Sequence, residues 1–235
     1  MPLFLGTEAG LPIVGQLMGN PAFKAEMVLA YELGYRTRIR RTLTLDVATF
    51  LNRNSRIQSL LVGTPAFELT PSPHIQESLL YVNGFRASTS GIEGTVSWKP
   101  LPSFSVQGNY AWMQAHTVQT EPGASGIIDT WNTPRNSFSG STSWCFAPRW
   151  SANGFFSYVG ALPPSADSAS GTDSTVSAYT RLDLNLSRKV GRHLEFDAGG
   201  TNLLTPRHFE FGNGTGFVTP AEVPRSVFVK GGWSF

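Results

Sequence analysis

The chain has 235 residues, 40% of them hydrophobic, 12% aromatic and only 14% charged, against roughly 25% charged in an ordinary soluble domain. A formal net charge of +2 is too small to imply a nucleic-acid partner, and a single cysteine, Cys145, excludes an internal disulfide and any cysteine-based metal cluster. No window holds the roughly 18 consecutive apolar residues of a membrane-spanning helix, so low charge, many aromatics and 24 glycines point to an all-β chain.

Residues 1–25 are rich in Gly and Pro and show no alternation, which predicts an N-terminal loop segment. They lack a basic n-region, and Glu8 and Pro12 interrupt the apolar run, so no signal peptide is expected here. From Met27 the pattern changes. Met27, Leu29, Tyr31, Leu33 and Tyr35 alternate with Val28, Ala30, Glu32, Gly34 and Arg36, the two-residue period of a strand. A basic turn at 37–41 leads to Leu43, Leu45 and Val47 against Thr44, Asp46 and Ala48, running to about Ser59. A proline-rich loop is expected over 63–76, then a long extended segment over 78–98 ending Ile92, Gly94, Val96, Trp98 against Gly91, Glu93, Thr95, Ser97. After a tight connection at 99–102, Phe104, Val106, Gly108, Tyr110 and Trp112 form the next apolar face. A polar loop over 116–130 precedes Phe138, Gly140, Thr142, Trp144 and Phe146. A turn at 147–149 leads to Trp150, Ala152, Gly154, Phe156 and Tyr158, followed by a loop over 162–175. Leu182, Leu184 and Leu186 oppose Arg181, Asp183 and Asn185. After a turn at 189–192, Leu194, Phe196 and Ala198 oppose Glu195, Asp197 and Gly199. A last loop over 205–221 leads to the closing strand, in which Val227, Val229, Gly231, Trp233 and Phe235 face away from Ser226, Lys230, Gly232 and Ser234, with Phe228 out of pattern.

Two regularities emerge. Short and long connections alternate strictly, as in an up-and-down outer-membrane barrel and unlike a Greek-key sandwich. Charge is confined to the face opposite the apolar residues: Glu32, Arg36, Asp46, Glu93, Arg181, Asp183, Glu195, Asp197 and Lys230 are expected to face a lumen, where water or a partner can solvate them. The fold class is therefore an all-β, antiparallel up-and-down transmembrane β-barrel segment over 26–235, with about nine strands. Such a piece is expected to form an open sheet by itself, neither closing nor inserting alone, because its two edge strands would be unpaired in hydrocarbon.

The residues resemble a known family. Asn20-Pro-Ala-Phe-Lys-Ala-Glu26, Ala30-Tyr-Glu-Leu-Gly-Tyr-Arg36 and Leu45-Asp-Val-Ala-Thr-Phe-Leu-Asn52 are similar to outer-barrel segments of TonB-dependent receptors. So are Ser90-Gly-Ile-Glu93, Trp98-Lys-Pro100, Gly108-Asn-Tyr-Ala-Trp112, Ala178-Tyr-Thr-Arg-Leu-Asp183, Gly200-Thr-Asn-Leu-Leu204 and the stretch from Arg225 to Phe235. The resemblance implies the C-terminal part of a barrel of about 22 strands in the outer membrane of a Gram-negative bacterium, importing a scarce ligand such as an iron-siderophore or cobalamin. Its implied partners are outer-membrane lipid, a plug domain, the TonB energy-coupling system, and a barrel-assembly machinery that reads Val227, Val229, Trp233 and Phe235. The plug and the TonB-engaging segment have no counterpart in this sequence, so the piece alone is expected to be transport-incompetent. The alternative is a stand-alone secreted or surface β-sheet protein that binds a ligand through its long loops, or a small pore.

Candidate ligand contacts are Trp112, His116, Trp131, Tyr158, His208 and Glu210, which fall in or beside the long loops. The competing reading makes the aromatics part of an interfacial girdle and the lumenal charges a wet, mutually paired wall. No pair has metal-ligand spacing, no cofactor is implied, and no nucleophile elbow or comparable signature suggests an enzyme. Arg38, Arg40, Arg41, Lys99, Arg149, Arg188, Lys189 and Arg192 gather at the short turns, where no acid lies. Two readings stand side by side: the short-turn end faces the periplasm and meets phospholipid head groups, or these cations are ordinary solvated turn residues.

Overall fold

The computed structural model describes residues 2–125, 133–162, 176–211 and 221–234, and every regular element among them is a strand. In chain order these are β1 (Pro2–Glu8), β2 (Leu11–Met18), β3 (Met27–Ile39), β4 (Leu43–Val62), β5 (Ala66–Glu68), β6 (His74–Leu101), β7 (Phe104–Gln119), β8 (Ala124–Ser125), β9 (Asn136–Ala147), β10 (Trp150–Val159), β11 (Tyr179–Val190), β12 (Leu194–Thr201), β13 (Arg207–Phe209), β14 (Glu222–Pro224) and β15 (Ser226–Trp233). The nine expected strands correspond to β3, β4, β6, β7, β9, β10, β11, β12 and β15. They lie side by side in that order, and β3 pairs only with β4 and β15 only with β12 among the described residues, so the sheet is not closed. The chain divides into two compact units, one of Met1–Tyr31, Leu51–Thr89 and Ala115–Asp129, the other of Glu32–Phe50, Ser90–Gln114 and Thr130–Phe235.

The second unit carries the repeating pattern. Its short connections are residues 40–42, 102–103, 148–149 and 191–193, and three of the four use a left-handed residue: Arg40 (φ 51°), Arg149 (φ 70°) and Gly191 (φ 67°). Positive φ matches a tight turn to the right-handed twist of the flanking strands. The strands then pair antiparallel, and in an antiparallel pair directly opposed residues share a face. Apolar rungs therefore cross the sheet. Val227 lies opposite Gly200, which faces Leu184, then Gly154, Thr142 and Val106. One step along, Val229, Ala198, Leu186, Ala152, Trp144 and Phe104 line up in the same way. Between them runs a rung of Phe228, Gly199, Asn185, Asn153, Ser143 and Ser105, and beside it one of Lys230, Asp197, Ser187 and Ser151. The apolar rungs are not covered: Leu184 is 47% exposed, Trp144 50% and Val229 82%.

Phe228, out of pattern in the sequence, has a packing reason. It sits on the polar face directly opposite Gly199, and a Cβ at Gly199 would lie 2.9 Å from its ring and 2.5 Å from Leu184 O. The aromatic covers the backbone that glycine leaves bare.

The first unit corrects three expectations. Residues 1–25 are not all loop: β1 and β2 form an antiparallel hairpin through Ala9 (φ 51°) and Gly10 (φ 82°), two consecutive left-handed residues that make the turn. Its glycines hid the alternation, and the space above Gly15 is taken by Leu5 and Leu79, each 3.0 Å from where a Cβ would stand. Neighbours are not antiparallel throughout: Ile13–Met18 of β2 runs parallel to Ile75–Leu80 of β6. On its other edge β6 pairs antiparallel with β5 at His74, Ile75 and Gln76. The edge taken by β2 is the one β7 leaves free beyond the bond from Thr120 N to Gly84 O. The loops expected over 63–76 and 116–130 also contain strand: β4 and β6 extend beyond their expected ends, β5 and β8 are added, and β7 runs on to Gln119. Polar side chains fix these extensions. Ser59 is fully buried, donating to Val82 O and accepting from Gly84 N (3.1 and 2.9 Å), while Asn83 binds Lys24 N and O and Arg56 O at 2.7–2.8 Å.

Candidate functional site

On the polar face of the second unit some charges are paired locally and others are not. Arg36 Nε donates to Asp46 Oδ2 at 2.6 Å, and Lys230 lies opposite Asp197, which accepts a hydrogen bond from Ser187. Thr95, Asn109 and Ser139 link three strands through side-chain bonds of 3.1 and 3.2 Å. Arg181 stands on the same rung, opposite Ser157, which faces Ser139.

A denser cluster forms where β11 and β12 meet the last long connection. Arg181 and Asp183 are two residues apart on β11, hence on one face, and Arg181 grips the carboxylate through Nε and Nη2 at 2.8–3.1 Å. Asp183 Oδ1 also accepts from the Asn202 backbone N–H at 2.9 Å. Asn202 is fully buried with φ of 54°. Its Nδ2 donates to Val223 O at 2.9 Å and its Oδ1 accepts from Thr205 Oγ1 at 2.8 Å. His208, on β13, is 9% exposed and lies flat on Tyr179, with ring centroids 4.3 Å apart and planes 21° apart. Its Nε2 reaches Glu210 Oε1 at 3.2 Å, and the same oxygen lies 3.9 Å from Arg181 Nη1. β13 pairs with β14 beside this, closed by Arg207–Glu222 at 3.0 Å.

The structure thus joins two sets that the sequence kept apart: Arg181 and Asp183, expected as wall charges, and His208 and Glu210, expected as loop contacts. Tyr179, Asn202 and Thr205 were missed. The sequence signal for Asn202 was an asparagine directly after a strand, a residue type that tolerates the left-handed region. Phe155 was missed as well. It lies on the polar face opposite Asp183 and is 39% exposed, and its neighbour Phe156 masked it in the alternation.

Other expected contacts fall elsewhere. Tyr158 lies opposite Phe138 and Thr180, and Phe138 opposite Tyr110, all on the apolar face. Trp112, two residues beyond Tyr110 and opposite Asn136, shares that face. His116 is an exposed residue of β7 rather than of a loop. Trp131 and Phe235 lie outside the described residues, as does most of the loop expected over 162–175. Glu32, Glu93, Glu195 and Asp197 share the polar face by strand parity, but join no ion pair among the described residues.

At the other end of the strands, an aromatic ribbon crosses the apolar face beside the short turns. Trp98, Phe104, Trp144, Phe146 and Trp150 follow one another with centroids 5.4–6.4 Å apart, and Arg188 stands over Trp150 at 4.9 Å.

Strands with alternating short and long connections, a polar face bearing charge, and an open apolar face edged by aromatics define the wall of a transmembrane β-barrel. The model of the TonB dependent receptor-like β-barrel matches residues 4–203, and the chain belongs to that family. A comparison with curated protein sequences gives no match. Among solved structures, the fold resembles the ferric-catecholate import receptor Fiu of E. coli in its closed form, with a TM-score of 0.67 and 19% identity over 92% of this chain and 29% of that one. It resembles the FrpB iron transporter of Neisseria meningitidis with a TM-score of 0.69 and 14% identity, over 92% and 32%. The siderophore receptor PiuA of Acinetobacter baumannii gives 0.65 and 15%, over 88% and 28%. The chain therefore spans under a third of the length of these receptors, and at these identities the likeness is one of fold.

Proposed function

We propose that this chain is part of the wall of a TonB-dependent transporter in the outer membrane of a Gram-negative bacterium, serving uptake of a scarce ligand such as an iron-siderophore or cobalamin. The observation that carries this is the run of polar and apolar rungs across β7, β9, β10, β11, β12 and β15, with the apolar side left open. In this reading lipid covers that side. A plug domain and the permeating ligand meet the polar side, and the TonB system supplies the energy. The assembly machinery reads the C-terminal stretch through Val227, Val229, Trp233 and Phe235. The Arg181, Asp183, His208 and Glu210 cluster stands at the long-connection end, where a ligand arrives first, and the exposed ring of Phe155 beside it adds an apolar contact.

Uptake of radiolabelled ferric siderophores and of cobalamin, in cells with and without an in-frame deletion of residues 26–235, tests the reading. Loss of one uptake, dependent on TonB, is the expected result. Unchanged uptake of both, with the protein secreted or held at the surface, supports the stand-alone binder instead.

We infer further that the long connections face outward and the short turns face the periplasm. A cysteine at Ser177, in the connection between β10 and β11, should react with an impermeant maleimide on intact cells. Cys145, three residues before the 148–149 turn, should react only after the outer membrane is broken. The reverse pattern inverts the orientation.

A further inference from the structure

We propose that the short-turn end of β10 and β11 holds a site for the phosphate of an anionic phospholipid, with Arg188 as its principal contact. The inference rests on the reading that lipid covers the apolar face. Arg188 departs from that face's composition: its rung is Gly231, Phe196, Arg188 and Trp150, with no other polar side chain. A cation facing lipid is costly at mid-membrane and nearly free at the interface. Arg188 stands three residues before the 191–193 turn, where its stem can lie along apolar surface while the guanidinium reaches head-group depth.

Three features make this position specific. The guanidinium stands over the Trp150 ring at 4.9 Å, an arrangement that orients the cation and leaves its N–H fork free. No ion pair or hydrogen bond engages its side chain among the described residues. Two further cations come from the neighbouring turns: Arg149 before β10 and Arg192 before β12. The Lys189 N–H bonds to Arg149 O at 2.9 Å and ties the two turns together. The nearest acids in sequence, Asp183, Glu195 and Asp197, sit on the opposite face: Asp183 is held by Arg181, and Glu195 and Asp197 have Lys189 and Lys230 as their register partners.

The surface leading away from Arg188 suits an acyl chain. Leu186 and Leu184 project from β11 between small residues on both neighbours, Ala152 and Gly154 on β10 and Ala198 and Gly200 on β12. The two leucines and the rings of Phe196 and Trp150 beside Arg188 make a continuous apolar track that leads to the arginine. A bidentate donor, flanking positive charge and an apolar track together match a diacyl lipid with a net negative head group. A free oxyanion would use only the first two.

The test uses the complete protein containing this chain, purified in mild detergent and titrated in native mass spectrometry. The probes are phosphatidylglycerol and phosphatidylethanolamine of the same acyl chains, and inorganic phosphate. Phosphatidylglycerol adducts should be favoured over phosphatidylethanolamine, and Arg188→Gln should lower that preference about fivefold. Lys99→Gln, which removes a cation from the same end on the polar face, should leave it unchanged. Arg188→Lys should restore part of it and so separate charge from folding. Equal retention of both lipids, an equal effect of Lys99→Gln, or displacement of the lipid by millimolar inorganic phosphate overturns the proposal. Failure of the unmodified protein to enter phosphatidylethanolamine vesicles would strike at the membrane reading itself. Entry without head-group preference overturns the lipid site alone.

Discussion

Arginine at Leu184 should lower the stability of the membrane-inserted protein by about 2–4 kcal/mol, whereas arginine at Asn153 should cost less than about 1 kcal/mol. The two positions belong to adjacent strands and nearly the same depth, since Leu184 lies opposite Gly154, the residue after Asn153. They differ in face. Leu184 is in the middle of β11 on an apolar rung and is 47% exposed, so an arginine there meets hydrocarbon. Asn153 lies on the neighbouring rung with Asn185 and Ser143 and is exposed toward the polar side, so an arginine there meets water or other charges. The measurement is equilibrium unfolding from lipid vesicles by guanidinium, followed by tryptophan fluorescence. Comparable small losses for both variants would mean that the apolar face does not contact lipid. A larger loss for Asn153→Arg would mean that the faces are reversed.

How far the sequence carried the fold depends on where the restraint on each residue comes from. In β7, β9, β10, β11, β12 and β15 it comes from the two unlike faces of the sheet, which alternate along each strand, and this alternation is written residue by residue. The positions that broke the alternation, Phe228 and Phe155, answer to a cross-strand glycine and to a polar cluster, which neighbouring residues in sequence do not reveal. β1 and β2 were opaque for a related reason. The space over Gly15 of β2 is filled by side chains from other strands, Leu5 and Leu79, which the residues around Gly15 do not reveal. The parallel pairing of β2 with β6 follows from an edge that β7 leaves open, a property of the sheet and not of β2. The candidate site was half legible. Arg181, Asp183, His208 and Glu210 stood out as charges, but their joining depends on Asn202, a neutral residue between them in sequence whose burial no local pattern signals.

That dependence predicts the second large effect. Asn202→Ala should destabilise the protein by about 2–4 kcal/mol, from two separable sources. Alanine in the left-handed region costs about 1–2 kcal/mol that asparagine largely avoids. Loss of the side chain leaves Val223 O without its donor and Thr205 Oγ1 without its acceptor, at about 1–3 kcal/mol for a buried group. Asn202→Gly removes the first source and keeps the second, so it should recover roughly 1 kcal/mol relative to alanine. The consequences should also be local. The Asn202 side chain ties β12 to Val223 in β14 and to Thr205, which lies beside His208, so hydrogen exchange should accelerate first at amides 203–211 and 221–225. Amides of β9 and β10 should keep their protection, because their pairing does not involve this residue. A uniform rise in exchange across all strands would show that Asn202 supports the sheet as a whole. No rise at 203–211 would show that the last connection is held by β13 and β14 alone, through Arg207 and Glu222. The expected pattern makes Asn202 the hinge pin of the candidate site: without it Glu210 and His208 drift from Arg181, and any ligand that needs all three together loses affinity even though none of its contacts has been mutated.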